Sequence, residues 1–275
     1  MGKQRTLIDG ISLIRDGDKV ALGGNVLHRA PMAAVREMIR QEKKHLQIIK
    51  TAGAMDVDML CLGDCVDSVD AGFISYETKY SLATHYRLGV QSGTIKGNEH
   101  ACYTVISALR AAAYGVGFMP VKGLQISDLI EANAYFKQIA DPFSGESITV
   151  VQALKPDVAV IHVTEADELG NAYIEGPCFE DVLLTRAADK VIVTTEKMIP
   201  LGKYSHGKQK AQIPHFLVDA VIHAPRGAKP CSCLPAYDID QKDLDTFKQV
   251  ANKEALQNYL ASYEKSDQRK QVMQR

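Results

Sequence analysis

The residues best suited to chemistry lie near the amino terminus, where a glycine pair follows a short apolar run. Residues 19–22 indicate a strand, which is followed by Gly23, Gly24, Asn25 and Arg29. Glycines at the carboxyl end of a strand let backbone N–H groups approach an anion or a thioester oxygen closely. Arg29 is the natural cation for a substrate carboxylate. A strand-to-helix turn also needs glycine for conformational reasons alone, and the spacing is not a dinucleotide-binding fingerprint.

The cysteines and histidines give no metal-binding pattern. The pairs Cys61 and Cys65, and Cys231 and Cys233, lack the C-x-x-C spacing with further ligands that is typical of a zinc site. The histidines form no H-E-x-x-H cluster, and His162 lies in an apolar run typical of a buried core histidine. We therefore expect no metal site. Because no export signal is visible, we expect the six cysteines to be reduced thiols.

The elements that must hold these residues alternate between strands and helices. Apolar, β-branched runs predict strands at residues 19–22, 46–51, 68–74, 148–151, 158–163, 190–194 and 218–222. Helical periodicity is present at residues 35–39, 57–61 and 99–114. Strands separated by helices predict an α/β fold with a single open, mostly parallel sheet flanked by helices. The continuous apolar character of the later strands indicates burial on both faces of the sheet.

Length and composition are typical of one soluble domain. The chain has 275 residues, of which 46% are hydrophobic, so one large core can form. We interpret residues 1–275 as a single domain with a polar helical carboxyl-terminal tail from about residue 240. Residues 123–147 break the alternation of strands and helices, and we interpret them as a long excursion from the core. With 32 basic and 33 acidic residues, no nucleic-acid partner is expected. No apolar run approaches the roughly 20 residues of a bilayer span, so we expect no membrane association and a cytoplasmic location.

Several ordered motifs resemble one known family. Residues 16–24, together with Arg29, Ala30 and Pro31, resemble the amino-terminal signature of the A-type (alpha) chains of class I CoA-transferases. Arginine before Ala-Pro is similar to the branch formed by the A-type chain of glutaconate CoA-transferase. Asn25 and Arg29 replace the aromatic residue and the glycine of the broader family, which argues against a short-chain 3-oxoacid transferase. The resemblance spans roughly residues 7–235 and continues through residues 109–120, 141–145, 156–162, 166–172 and 186–194.

The resemblance implies a class I CoA-transferase fold (NagB/RpiA/CoA transferase-like) and an enzyme built from two kinds of chain. In such enzymes a glutamate attacks the acyl-CoA thioester, an anhydride forms, and CoA is held as a glutamyl thioester before transfer to the acceptor acid. That glutamate belongs to a B-type partner subunit, in a Ser-Glu-Asn-Gly-like motif that this sequence lacks. The resemblance further implies no bound cofactor and a coenzyme A thioester as substrate. The expected substrate-binding residues are Gly23, Gly24, Asn25, Arg29 and Ser75.

Glu99 supports an alternative activity. By resemblance it matches a glutamate that acts as a base in related A-type chains, which hydrolyse carbon–carbon bonds of ring-derived CoA esters. Under this hypothesis the chain is one component of an acyl-CoA hydrolase or decarboxylase of the same fold, with Glu99 as its catalytic residue. The structural alternative is that Asn98 caps the following helix while Glu99 lies in its first turn. A third hypothesis, a ligand-sensing regulatory protein, rests on fold analogy alone, and no DNA-binding segment is visible in the sequence.

Overall fold

Strands and helices alternate through residues 2–77, 81–124, 127–206 and 210–267, which the computed structural model of the chain describes. The strands are β1 (Gln4–Arg5), β2 (Lys19–Leu22), β3 (Leu46–Gly53), β4 (Val66–Ile74), β5 (Lys96–Glu99), β6 (Phe118–Val121), β7 (Phe136–Ala140), β8 (Ser147–Gln152), β9 (Val158–Ala166), β10 (Ala172–Tyr173), β11 (Lys190–Met198) and β12 (Ala220–His223). The α-helices are α1 (Leu7–Ile11), α2 (Met32–Arg40), α3 (Met55–Leu62), α4 (Thr84–Ser92), α5 (Cys102–Ala113), α6 (Leu129–Ala132), α7 (Asp181–Ala187), α8 (Lys203–His206), α9 (Gln241–Lys248) and α10 (Lys253–Ser262).

A nine-stranded sheet forms the centre of the fold. Its strand order is β1-β12-β11-β9-β2-β3-β4-β5, and β10 pairs with β9 beside this path. Every neighbouring pair along the path is parallel, whereas β10 is antiparallel to β9. Parallel neighbours need crossover connections, and the helices between the strands supply them. The predicted open, mostly parallel sheet flanked by helices is therefore confirmed.

Two separate cores cover the two faces of this sheet. In β9, Val158 and Val160 belong to the core that contains residues of α1, α2, α3, α9 and α10. Their neighbours Ala159 and Ile161 belong to the second core, with residues of α5 and α7. Successive side chains of a strand point to opposite faces, so both sets are buried only when helices cover both sides. This explains why the strand is apolar without alternation.

A second, three-stranded antiparallel sheet of order β6-β8-β7 packs beside the second core. It contains the predicted strand at residues 148–151, which is present as β8 but does not join the main sheet. Residues 123–147, interpreted as an excursion, supply α6 and β7. A short apolar run does not identify its neighbour, because strand pairing depends on contacts between distant segments.

The carboxyl-terminal helices α9 and α10 pack on the first core, where Leu244 and Phe247 are fully buried. Asp267 lies beyond them and is buried as well. Its Oδ2 accepts hydrogen bonds from Arg36 Nε at 2.9 Å and from Arg40 Nη1 at 2.7 Å. The ion pairs of Asp267 with Arg36 and Arg40 therefore hold this segment against α2. Among the described residues, no helix combines the length and apolar character needed to cross a membrane.

Candidate active site

The turn after β2, residues 23–29, which we call the glycine turn, requires glycine at two consecutive positions. A Cβ atom on Gly23 would lie 2.2 Å from Asp181 Oδ1, so the neighbouring carboxylate leaves no room for a side chain. Gly24 adopts a φ of +71°, and a Cβ atom there would lie 2.5 Å from the Arg29 carbonyl oxygen. Because β2 lies between β9 and β3, the turn occupies the middle of the sheet's carboxyl edge. Open α/β sheets bind ligands along this edge.

The backbone N–H groups of the turn are directed into the protein. Gly23 N donates to Val160 O at 2.9 Å, Gly24 N donates to Asp181 Oδ1 at 3.0 Å, and Asn25 N donates to His28 O at 2.8 Å. Each of these N–H groups therefore has an acceptor within the protein, and the expectation that they approach an anion or a thioester oxygen stays a prediction. The glycines are needed for close packing, and they set the shape of the turn.

A buried lysine fixes the carbonyl group of the same turn. Lys50 in β3 is 2% exposed, and its Nζ donates to the Gly23 carbonyl oxygen. Lys50 Nζ also lies 3.0 Å from Asp56 Oδ2, which compensates its charge. Asp56 Oδ1 in turn accepts hydrogen bonds from the backbone N–H groups of Ala54 and Val57. Sequence reasoning missed this lysine, because a lysine near the end of a strand is usually solvent-exposed.

Arg29 and Asp181 form a second buried ion pair at the turn. The guanidinium Nη2 donates to Asp181 Oδ2 at 2.8 Å and to Pro177 O at 2.7 Å, and Nη1 donates to His162 O at 3.0 Å. Arg29 is 4% exposed, and the Asp181 side chain is fully buried. Asp181 therefore compensates the positive charge of Arg29 within the chain, so this charge is not left unpaired for a ligand.

The structure brings Asn25 and Ser75 to the same edge as the glycine turn. Asn25 is partly exposed within the turn, and Ser75 directly follows β4, two strands away from β2. Ser75 N donates to Gly53 O at 3.0 Å, and Ser75 Oγ donates to Ser81 O at 3.0 Å. The Ser75 hydroxyl thus has an internal acceptor, whereas Asn25 is only partly buried within the turn.

Glu99 lies farther along the edge. It is the last residue of β5, three strand spacings of about 4.8 Å from β2, so roughly 14 Å separates it from the turn. Its side chain is exposed. The interpretation that Asn98 caps a helix with Glu99 in its first turn is wrong, because both residues belong to β5 and α5 begins at Cys102. A short strand directly before a helix does not interrupt the helical periodicity enough to be recognised.

Glu180 and Asp181 are further site residues without a sequence motif. Asp181 begins α7, and Glu180 lines a narrow recess with Gly24, Lys50 and Thr51. Burial, followed by the nearby charge of Asp181, raises the pKa of Glu180 above its ordinary value. An acidic pair at the start of a helix is explained by the helix dipole, so no local signal indicates that these residues reach the edge of the sheet.

A hydrogen-bonded cluster around His162 lies next to Arg29 of the glycine turn. His162 in β9 is fully buried, as predicted for a core histidine. Its Nε2 lies 2.7 Å from Glu196 Oε1, and its Nδ1 lies 2.9 Å from Thr194 Oγ1. Tyr237 Oη also donates to Glu196 Oε1. Burial alone would raise the pKa of Glu196, but the hydrogen bond and charge of His162, with the bond from Tyr237, hold it below its ordinary value.

The same cluster contains donor atoms of the types that bind zinc. One donor atom each of His162, Glu196 and Cys233 lies within 4.8 Å of the other two. His162 Nε2 and Glu196 Oε1 already hydrogen bond to each other. Burial, followed by the charge of Glu196, raises the pKa of Cys233 to about 12, which disfavours the thiolate that a metal requires. These contacts favour a hydrogen-bonded support for β9 and β11.

An open cavity adjoins the glycine turn on the side of Arg29. Its volume is about 300 Å³, and its walls come from the turn, from residues 175–179 and from residues 232–234. Phe179 and Leu234 are 40% and 51% exposed. The turn, the two buried ion pairs and this cavity together form a concave site at the carboxyl edge of the sheet.

The chain matches a family model described as Coenzyme A transferase over residues 5–224. An uncharacterized protein of Archaeoglobus fulgidus is 34% identical over 254 residues, which cover 92% of this chain but only 57% of that protein. The A-type chain of glutaconate CoA-transferase from Acidaminococcus fermentans is 31% identical over 268 residues, with 91% of this chain and 84% of that protein covered.

Two solved structures share this architecture, at sequence identities of 30% and 32% to this chain. The glutaconate coenzyme A-transferase of Acidaminococcus fermentans superimposes with a TM-score of 0.90 at 30% identity, covering 97% of this chain and 91% of that chain. A variant of the decarboxylase AibA/AibB superimposes with a TM-score of 0.84 at 32% identity, covering 95% of this chain and 100% of that chain.

Proposed function

Because this chain belongs to the coenzyme A transferase family, we propose that it is the A-type subunit of an enzyme that moves CoA between an acyl-CoA and a carboxylic acid. The observation that carries the proposal is the glycine turn at the carboxyl edge, held by two buried ion pairs beside an open cavity. A relative named as the A-type chain of glutaconate CoA-transferase, covered over 84% of its length, supports this assignment. The acyl donor is a coenzyme A thioester of a glutaconate-like or related short acid.

The reaction proceeds by covalent catalysis on a B-type partner subunit. A glutamate carboxylate of that partner attacks the thioester carbonyl and expels CoA thiolate, which leaves an acyl-glutamyl anhydride. The thiolate attacks the glutamyl carbonyl, releases the first acid and forms a glutamyl-CoA thioester. The acceptor carboxylate then repeats both steps in the opposite direction. No bound cofactor takes part, because each step exchanges one acyl bond for another.

This chain supplies the wall of the acyl site. Gly23 and Gly24 give the turn its shape, and Asn25 presents a side-chain amide on its surface. Arg29 acts as a positioning residue, since its charge is compensated by Asp181. Ser75 lies two strands away, at the rim of the same edge. Each of these roles is a proposal that rests on the geometry of the turn.

The partner subunit covers the open side of the site in this proposal. Large apolar side chains remain exposed along the carboxyl edge or beside it: Phe73, Tyr103, Phe179 and Leu234. Exposed apolar side chains that cluster near a site are typical of a protein–protein interface. We place the complex in the cytoplasm, because all six cysteines are free thiols, as a reducing compartment favours.

Hydrolysis or decarboxylation with Glu99 as the base is not favoured. Glu99 is exposed, about 14 Å from the glycine turn along the sheet edge, and a base must come within hydrogen-bond reach of its proton. The third hypothesis, a ligand-sensing regulatory protein, still rests on fold analogy alone, because none of the contacts among the described residues favours it.

The test is trapping of the covalent intermediate in the reconstituted complex. The chain is purified with its B-type partner, incubated with an acyl-CoA, and treated with borohydride, which reduces a glutamyl-CoA thioester. We expect a reduced glutamate in the partner, none in this chain, and no turnover by this chain alone. Turnover without a trapped adduct, or enzyme-like turnover by the isolated chain, would contradict the proposal.

A further inference from the structure

Glu180 lies in the narrow recess beside the glycine turn. It shares this recess with Gly24, Lys50 and Thr51, and it is only partly buried. We infer that Glu180 is a specificity-determining residue that carries a proton when the acyl donor binds and donates a hydrogen bond to the distal carboxylate of a dicarboxylic acyl chain. The inference rests on the proposed transferase function and identifies the residue that recognises its glutaconate-like substrate.

The cations near the turn are already paired within the chain. Lys50 is the only lysine or arginine among the described residues that line the recess, and its Nζ lies 3.0 Å from Asp56 Oδ2. Arg29 Nη2 lies 2.8 Å from Asp181 Oδ2. A substrate carboxylate that took either cation would leave a buried carboxylate without its partner, which is costly. The distal carboxylate therefore needs a hydrogen-bond donor other than these two cations.

A carboxyl group that holds its proton is such a donor, and the surroundings of Glu180 favour the proton. Burial, followed by the charge of Asp181, raises the pKa of Glu180, although the charge of Lys50 and a hydrogen bond from Thr51 act in the opposite direction. Cys102, the first residue of α5, is a further titratable neighbour. Burial, aided by the charge of Glu180, raises the pKa of the Cys102 thiol, which therefore stays neutral.

The distal carboxylate of the substrate adds to this effect. A second carboxylate within hydrogen-bond reach raises the pKa of Glu180 further, because two like charges at this distance cannot both ionise readily and one proton is shared between them. Binding of a dicarboxylic donor then takes up one proton from solvent. Above the pKa of Glu180 in the free complex, affinity for that donor should rise by up to about tenfold for each unit by which the pH falls.

Glutaryl-CoA and pentanoyl-CoA test the inference, because their acyl chains have the same number of carbon atoms and differ in the distal carboxylate. The complex of this chain with its B-type partner transfers CoA from each donor to acetate. We measure kcat/KM from about pH 8 to about pH 5.5, above the ordinary pKa of about 4.3 of the distal carboxyl group. The ratio of the two values removes pH effects that both donors share. We expect this ratio to rise by at least about fivefold in favour of glutaryl-CoA as the pH falls.

Glu180→Gln keeps a neutral hydrogen-bond donor and removes the titration. Its ratio should not change with pH and should exceed the native ratio about tenfold at about pH 8, where native Glu180 is largely ionised. Glu180→Ala removes the donor as well, so its ratio should be lower than that of Glu180→Gln at every pH. The matched control is Glu254→Gln, since Glu254 lies in the first turn of α10, is exposed and does not line the recess. This control should keep the native pH dependence.

A native ratio that does not change with pH, or equal ratios for Glu180→Gln and Glu180→Ala, would overturn the inference. Failure of the transferase function is recognised separately, as absence of transfer from both donors and of the trapped adduct. Calorimetric titration of the complex with glutaryl-CoA, in two buffers of different ionisation enthalpy, then counts the protons taken up on binding. A larger proton uptake by the native complex than by Glu180→Gln supports the inference, and equal uptake refutes it.

Discussion

Replacement of Asp181 by alanine should destabilise the chain more than almost any other single carboxylate loss. Asp181 accepts a hydrogen bond from Gly24 N at 3.0 Å and pairs with Arg29 Nη2 at 2.8 Å, within the protein interior. The variant leaves the Arg29 charge buried and unpaired, which costs about 3–5 kcal/mol. Loss of the acceptor for Gly24 adds about 1 kcal/mol. We expect the free energy of unfolding to fall by about 4–6 kcal/mol.

Urea denaturation followed by circular dichroism measures this change in the purified chain. The control is Asp189→Ala, because Asp189 pairs with Lys155 at 2.5 Å but both side chains are more than half exposed. It should cost less than about 1 kcal/mol. A double variant, Arg29→Met with Asp181→Ala, removes both charges and should be more stable than Asp181→Ala alone. Equal losses for Asp181→Ala and Asp189→Ala, or a double variant no more stable than the single one, would refute the reasoning.

Three further outcomes are expected. Gly24→Ala should cost about 1–3 kcal/mol more than Gly17→Ala in thermal unfolding, because both residues have positive φ but only Gly24 would overlap the Arg29 carbonyl. The pKa of Glu196 is lower in the folded chain than its ordinary value of about 4.5, so the ionised Glu196 carboxylate stabilises the folded chain above that pH. This stabilisation is lost as the pH falls through the folded pKa of Glu196. The Tm gap between the native chain and Glu196→Gln should therefore narrow below pH 4.5; a constant gap would contradict this. Treatment of the complex with a chelator should leave kcat/KM unchanged, and a loss restored by zinc would assign a metal to His162, Glu196 and Cys233.

Much of the fold was predictable because its signals are local. Apolar runs such as residues 158–163 predict buried strands without reference to any other segment, and their alternation with helices predicts a parallel sheet. The second sheet was not predictable in the same way. The run at residues 148–151 has the same composition as strands of the main sheet, yet β8 pairs with β6 and β7.

The sequence by itself determined the location of the glycine turn, since two adjacent glycines after an apolar run require a tight turn at a strand end. Only the tertiary structure decided what the turn can do. Asp181 is more than 150 residues away in the chain, yet it occupies the N–H group of Gly24 and compensates the charge of Arg29. Lys50 became part of the site in the same manner. Buried charges take their partners from whichever segments the fold brings within reach, so their roles depend on long-range packing rather than on local pattern.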